Sequence, residues 1–140
     1  MILLDTHVLV WWVSDKKKLS RIAYAAMSDA LKHDGFAVSA ISIWELAMLL
    51  NKGRLAVTIH PQTWLDRVEA TKGLHLVPVD STIARSSVAL PGTIHDDPAD
   101  RMIIATARNL GIPLVTVDKK IRNYPHVQTI WYRDTSPIRR

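Results

Sequence analysis

Four acidic residues, Asp5, Glu45, Asp100 and Asp118, stand at breaks between the apolar segments of this 140-residue chain. A parallel sheet would bring such breaks to one rim. Carboxylates pressed together disfavour one another's ionised state, and a bound divalent cation is the usual relief. The set therefore points to metal-assisted phosphodiester chemistry. The chain has no cysteine, so a thiolate site is excluded. Hard oxygen donors without a compact histidine pair select magnesium, with manganese as a substitute, over zinc. Each acid also has a purely structural reading. Asp5 could cap a helix starting at Thr6, and Ser42 to Glu45 has the S-x-x-E form of a capping box. Asp97, Pro98 and Asp100 suit the N-cap, first and third positions of a helix, and Asp118 could cap a turn through Lys119 and Ile121. A set of caps has no reason to converge, and joint placement favours the site.

The elements that must position these residues follow from alternating apolar runs and helical periods, the pattern of a parallel α/β sheet covered by helices. A strand is expected at Ile2 to Leu4, then a helix from about Thr6 to Val13. Ser20 caps a helix with Ile22, Ala23, Ala26, Met27, Ala30 and Leu31 on one face, which Asp34-Gly35 ends before a strand from Phe36 to Ser39. Further helices are expected from about Ser42 to Lys52, stopping at Gly53, and from Pro61 to near Gly73. Leu74 to Val79 reads as a strand that Pro78 marks as an edge or as ending early. A short helix to Ala89 and a longer one from Pro98 to Leu110 precede strands at Pro113 to Val117 and Thr129 to Tyr132. In open α/β sheets ligands bind beyond the carboxyl ends of the strands, where strand order reverses. Asp5, Glu45 and Asp118 fall on that rim directly; Asp100, on a helix returning to the sheet, is harder to place.

Composition bounds the rest. With 48% hydrophobic and 22% charged residues, the chain can bury one core in one domain, expected over residues 1–132, with 133–140 as a flexible basic tail. Ile2, Leu3 and Leu4 run into Asp5 with no basic leader, and Val8 to Val13 is too short to span a bilayer, so a soluble, cytoplasmic protein is expected. The net charge is +5 even though four carboxylates are assigned to one pocket, which favours a polyanionic partner.

The opening Met-Ile-Leu-Leu-Asp5-Thr6-His7, the Ile43-Trp44-Glu45-Leu46 block, the segment His95 to Arg101 and the strand end Val115-Thr116-Val117-Asp118 together resemble the PIN-domain ribonucleases, and within them the VapC-like toxins of bacterial VapBC toxin-antitoxin pairs. The resemblance runs from Met1 to about Trp131. It implies a three-layer α/β/α sandwich with a central parallel sheet, and it makes Asp5, Glu45, Asp100 and Asp118 the catalytic, metal-binding quartet, with Asp97 as a nearby acid. Thr6 and Thr116 match small hydroxyl positions beside that cluster. The implied activity is endonucleolytic, two-metal hydrolysis of single-stranded or structured RNA, leaving a 3'-hydroxyl and a 5'-phosphate. The implied partners are RNA, a cognate VapB-like antitoxin and a second copy in a homodimer.

Other residues fill out the site. Arg101, beside Asp100, is expected to pair with a carboxylate or to contact the scissile phosphate. Lys119 and Lys120 follow Asp118, and Lys16, Lys17 and Lys18 form a second basic cluster; both are candidates for RNA phosphates. His7 and His95 lie near the acidic motifs, where a hydrogen-bonding role is favoured over metal ligation. Trp11 and Trp12 cannot both face one core from one helix, so with Trp44 they are candidates for an antitoxin-binding aromatic groove. Two rivals come from another class. A receiver-like regulatory domain needs paired acids after its first strand, where this chain has Thr6 and His7. A catalytically silent PIN fold would not need the intact acids.

Overall fold

Strand residues of this chain alternate between two apolar faces, and helices cover both. The computed structural model describes residues 1–132; the expected tail at 133–140 lies outside the described residues. Five strands, β1 (Ile2–Leu4), β2 (Phe36–Ser39), β3 (Leu74–Val77), β4 (Leu114–Val115) and β5 (Thr129–Ile130), pair in parallel in the order β3-β2-β1-β4-β5. Seven α-helices are present among the described residues: α1 (Thr6–Ser14), α2 (Arg21–Leu31), α3 (Ala40–Asn51), α4 (Pro61–Glu69), α5 (Ser81–Val88), α6 (Pro98–Leu110) and α7 (Lys119–Arg122). None is long and apolar enough to cross a membrane.

Side chains alternate across a strand, so one sheet can feed two cores. Ile2, Leu4, Phe36, Val38 and Val115 pack with Val8, Leu9 and Trp12 of α1, Ala23 and Met27 of α2, Leu46 of α3, and Leu65 and Val68 of α4. Leu3, Ala37 and Leu114 point the other way, onto Ile103, Ile104 and Ala107 of α6, Ile121 of α7 and Tyr124. Three layers result, as the resemblance implied. Pro78 sits just past β3, which is an edge strand, as its position in the sequence suggested. The two backbones entering β2 and β3 touch: at Gly35, where φ is +85°, a Cβ would fall 2.2 Å from the carbonyl oxygen of Gly73, so only glycine fits.

Several boundaries differ from the sequence reading. The helix expected from Ser42 begins at Ala40, because Ser39, the last residue of β2, caps it by accepting the N–H of Ile41 at 3.2 Å. The last two strands hold two residues each, shorter than expected. The Thr116 N–H still donates to the Ile130 carbonyl at 3.3 Å, and Val117 leaves the ladder as the chain turns toward α7, the turn anticipated after Asp118.

Strand order reverses beside β1. Its neighbours are β2, reached through α1 and α2, and β4, reached only after β3, α5 and α6. The difficulty over Asp100 resolves here. α5 is short, and residues 89–97 return the chain to the carboxyl rim, so α6 starts at that rim and descends to deliver β4 in parallel.

Candidate active site

At the switch point a cleft of about 400 Å³ is lined by Asp5, His7, Trp11, Glu45, Asp97, Asp100, Val117 and Asp118. Four elements and their caps supply the acids. Asp5 follows β1 and caps α1, its Oδ1 accepting the N–H of Thr6 at 2.8 Å. Asp97 caps α6, accepting the N–H of Asp100 at 2.9 Å. Asp118 caps α7, accepting the N–H of Lys120 at 2.8 Å. The cap readings therefore hold for these three, and they explain the convergence. Helices that start at one rim aim their N–H groups and positive dipole ends at one place, which offsets part of the repulsion among carboxylates. Glu45 differs: with Ser39 as the cap it lies in the second turn of α3, and the capping-box reading falls.

Two buried hydroxyls orient two of the acids. β1 and β4 pair Leu4 with Val115, so the next residues, Asp5 and Thr116, stand side by side. Thr116 Oγ1 accepts the N–H of Asp118 at 3.1 Å and donates to Asp5 Oδ2 at 2.6 Å. Since a backbone N–H can only donate, the Thr116 proton is committed to Asp5. Thr6 Oγ1 lies 2.6 Å from Glu45 Oε1 and 2.8 Å from Ser42 Oγ. A threonine has one hydroxyl proton and a carboxylate only accepts, so Thr6 donates to Glu45 and receives the proton of Ser42. The sequence reading missed Ser42 in this role. Its signal was the three-residue spacing to Glu45, which the capping box had claimed.

Burial dominates the electrostatics. It raises the pKa of Asp5 above the ordinary aspartate range, against the lowering effect of Thr116 and the Thr6 N–H. Burial likewise raises Glu45, with Thr6 opposing and Asp5 and Asp97 adding to the rise. Asp100 is pushed up to about 7, first by burial, then by Asp5, Asp97, Glu45 and Asp118. A site that holds its carboxylates above their ordinary range is one that a cation would stabilise. The donor set fits a hard divalent ion. Glu45 Oε2, Asp100 Oδ1 and Asp118 Oδ2 receive no hydrogen bond from any donor among the described residues.

Other candidates fall elsewhere. Arg101 neither pairs with a carboxylate nor reaches the cleft. Its guanidinium donates to the carbonyls of Ser87 (2.8 Å), Ile94 (3.1 Å), His95 (3.2 Å) and Val88 (3.4 Å). That arrangement closes the carboxyl end of α5 and pins the loop leading into α6, and fixed neutral acceptors satisfy the cation in place of an acid. Lys16, Lys17 and Lys18 form an exposed 3-10 turn after α1, separated from Asp5 by the length of that helix, about 14 Å. Lys119 and Lys120, exposed on α7, adjoin Asp118 at the rim.

The three tryptophans do not form one groove. Trp11 is half-buried, lines the acidic cleft and packs on Trp131 with ring centroids 5.9 Å apart. Trp12 is only 7% exposed, packed edge-on to Phe36 with Lys16 over its ring at 4.7 Å. Its edge reaches a second cleft of about 390 Å³ shared with Trp64 and Arg67. Trp44 is 55% exposed on α3 and lines neither cleft.

A parallel β3-β2-β1-β4-β5 sandwich with acids gathered at its switch point is the architecture of the PIN domain; that family matches residues 2–127, and the chain belongs to it. Among known proteins the chain is similar to Ribonuclease VapC22 of Mycobacterium tuberculosis (strain ATCC 25618 / H37Rv), with 38% identity over 133 residues, covering 93% of this chain and 98% of that one. Solved structures with the same fold include VapBC-1 from nontypeable Haemophilus influenzae, at a TM-score of 0.67 and 17% identity over 92% of this chain and 96% of that one. Another is DNA-bound VapBC from Salmonella typhimurium, at a TM-score of 0.65 and 20% identity over 91% of this chain and 95% of that one.

Proposed function

We propose that this protein is a divalent-metal-dependent endoribonuclease acting as the toxin of a toxin-antitoxin pair. The observation that carries the reading is the meeting of Asp5, Glu45, Asp100 and Asp118 in one cleft, with three of the four raised in pKa. The similarity to a named ribonuclease and to structures named as VapBC supports the choice of RNA and of an antitoxin partner. Asp5, Glu45, Asp100 and Asp118 would hold magnesium or manganese, with Asp97 at the margin and enough carboxylate oxygen for a pair of ions. When bound, the metal supplies Lewis-acid stabilisation of phosphoryl charge and a more acidic water.

The chain's own residues do the rest. Thr116 and Thr6 hold Asp5 and Glu45 in single orientations, which keeps them preorganised. Lys119 and Lys120 sit where RNA phosphates would approach the rim and would act as point charges without sequence preference. A silent binding domain would have no need of carboxylates locked by buried hydroxyls, which counts against that rival. Cleavage of RNA by the purified protein with magnesium or manganese, stopped by chelator and lost in a folded Asp5→Asn variant, tests the reading. Undiminished cleavage by that variant would assign the activity to a contaminant.

The antitoxin surface is read from the two clefts together. Trp11 walls the acidic cleft, and a cationic side chain of the partner could reach the carboxylates past it. The second cleft offers Trp12, Trp64 and the cations Lys16 and Arg67, which suit an apolar residue flanked by an acidic one. A homodimer in the cytoplasm remains part of the proposal.

A further inference from the structure

The imidazole of His95 stands among the acids, and resting on the metal-nuclease reading we propose that it is a positioning residue that donates its Nε2–H to Asp100 and stays outside the metal's ligand shell. Geometry alone would admit it as a ligand. One ligand atom each from His95, Asp100 and Asp118 lie within 4.8 Å of one another, and His95 Nε2 is 3.3 Å from Asp100 Oδ2. An imidazole beside two carboxylates is a workable site for manganese or a later transition metal.

The other ring nitrogen decides the matter. The backbone N–H of Asp97 donates to His95 Nδ1 at 3.2 Å. A backbone N–H can only donate, so Nδ1 presents its lone pair, and the neutral ring carries its proton on Nε2. A histidine that binds metal through Nε2 shows the reverse, with Nδ1–H donating to an oxygen. His95 has an N–H where that oxygen should be. The nitrogen facing Asp100 is thus a donor.

The surrounding segment holds the ring in that state. Arg101 Nη1 fixes the carbonyls of Ile94 and His95 at 3.1 and 3.2 Å. Asp97, whose N–H meets the ring, is itself held as the cap of α6 through the N–H of Asp100 at 2.9 Å. The circuit closes on Asp100: its Oδ2 lies 3.3 Å from His95 Nε2, which leaves Oδ1 as the oxygen open to the cation. Spacing of the motif follows from this, since the histidine needs the N–H two residues on and the carboxylate three residues beyond that. The metal shell is then all oxygen, which suits magnesium.

Three measurements on the 140-residue protein test the proposal. Long-range proton–nitrogen correlation spectra at pH 8, where an ordinary imidazole is neutral, report the tautomer. The expected result is His95 protonated on Nε2 and bare on Nδ1, with and without magnesium. Electron spin-echo modulation of the manganese-loaded protein should show no directly bound imidazole nitrogen. His95→Gln, which keeps an N–H near the Nε2 position, should hold manganese affinity within about threefold, while His95→Ala should lose about tenfold or more, the range for orienting partners of metal ligands. An Nδ1-protonated ring, a bound-nitrogen coupling, or equal losses in the two variants would overturn the proposal. Failure of the parent to bind manganese at all would overturn the metal reading, and the tautomer of the metal-free protein would still test the His95 to Asp100 hydrogen bond by itself.

Discussion

Replacing Asp100 with asparagine should stabilise the metal-free protein, and by an amount that grows with pH. Burial and four neighbouring carboxylates raise Asp100 from an ordinary 3.8 to about 7, so the folded state keeps a proton that the unfolded chain releases across that interval. The sign follows by linkage. Below about pH 4 both states are protonated and Asp100 contributes nothing; from there to about pH 7 the parent loses stability, and above pH 7 the loss is complete. At about 1.4 kcal/mol per pH unit, an interval of about three units sets a ceiling near 4 kcal/mol. The Asp100 side chain is 21% exposed, and water screens it from its neighbours, which brings the expected penalty to roughly 1–2 kcal/mol. Asparagine keeps an acceptor for His95 and carries no charge. Urea unfolding in chelator at pH 5, 6, 7 and 8 should show the two curves diverging, with the variant more stable by that amount at pH 8. Saturating magnesium should reverse the order, because a ligand at a hundred times its Kd adds about 2.7 kcal/mol to whichever chain binds it. A constant offset across pH, or a variant less stable at pH 8 without metal, would refute the reasoning.

Four further outcomes are expected. Millimolar magnesium should raise the melting temperature of the parent and chelator should remove the gain, while Asp118→Asn should blunt the response in thermal scans. Thr116→Val strips the buried Asp5 of the donor to its Oδ2, and should cost about 1–3 kcal/mol in denaturant unfolding while Thr116→Ser restores most of it. Arg101→Ala should destabilise the fold by roughly 2–4 kcal/mol through four orphaned carbonyls, whereas a phosphate-contacting arginine would show its main loss in cleavage rate with stability unchanged. Trp11→Ala should weaken inhibition by the antitoxin by about 2 kcal/mol or more if the partner crosses the acidic cleft, leaving the fold intact; inhibition curves identical to the parent's would place the partner elsewhere.

What local sequence determines is local. The N-caps at Asp5, Ser20, Asp97 and Asp118, proline at the first turn of two helices and glycine after α6 act over one helical turn, so their residue types suffice to mark where elements begin and end. The alternation of apolar strands and helices implied parallel pairing, and parallel pairing puts the residues after strands on one rim; Asp5 and Asp118 were legible on that ground alone. Glu45 was legible by its place on the helix after β2, though Ser42 was credited with a cap that Ser39 supplies, since two serines three residues apart satisfy the same local rule.

Tertiary structure decided what depends on several elements at once. Which of Trp11 and Trp12 is buried turns on where Phe36 and Trp131 lie, and no spacing within α1 reports that. Arg101 found its partners on the end of α5 and a loop, and a guanidinium is satisfied as well by carbonyls as by an acid when the backbone supplies them in a ring. The rim position of Asp100 required the loop 89–97 to carry the chain back before α6 began, and loop paths leave no periodic trace. The proton on His95 is settled by one backbone N–H of Asp97, a contact two residues away that becomes a constraint only when the loop has folded. Residue types determined which groups could meet at this cleft. Packing decided which oxygen of each faces it, because hydrogen-bond direction is a property of three-dimensional neighbours.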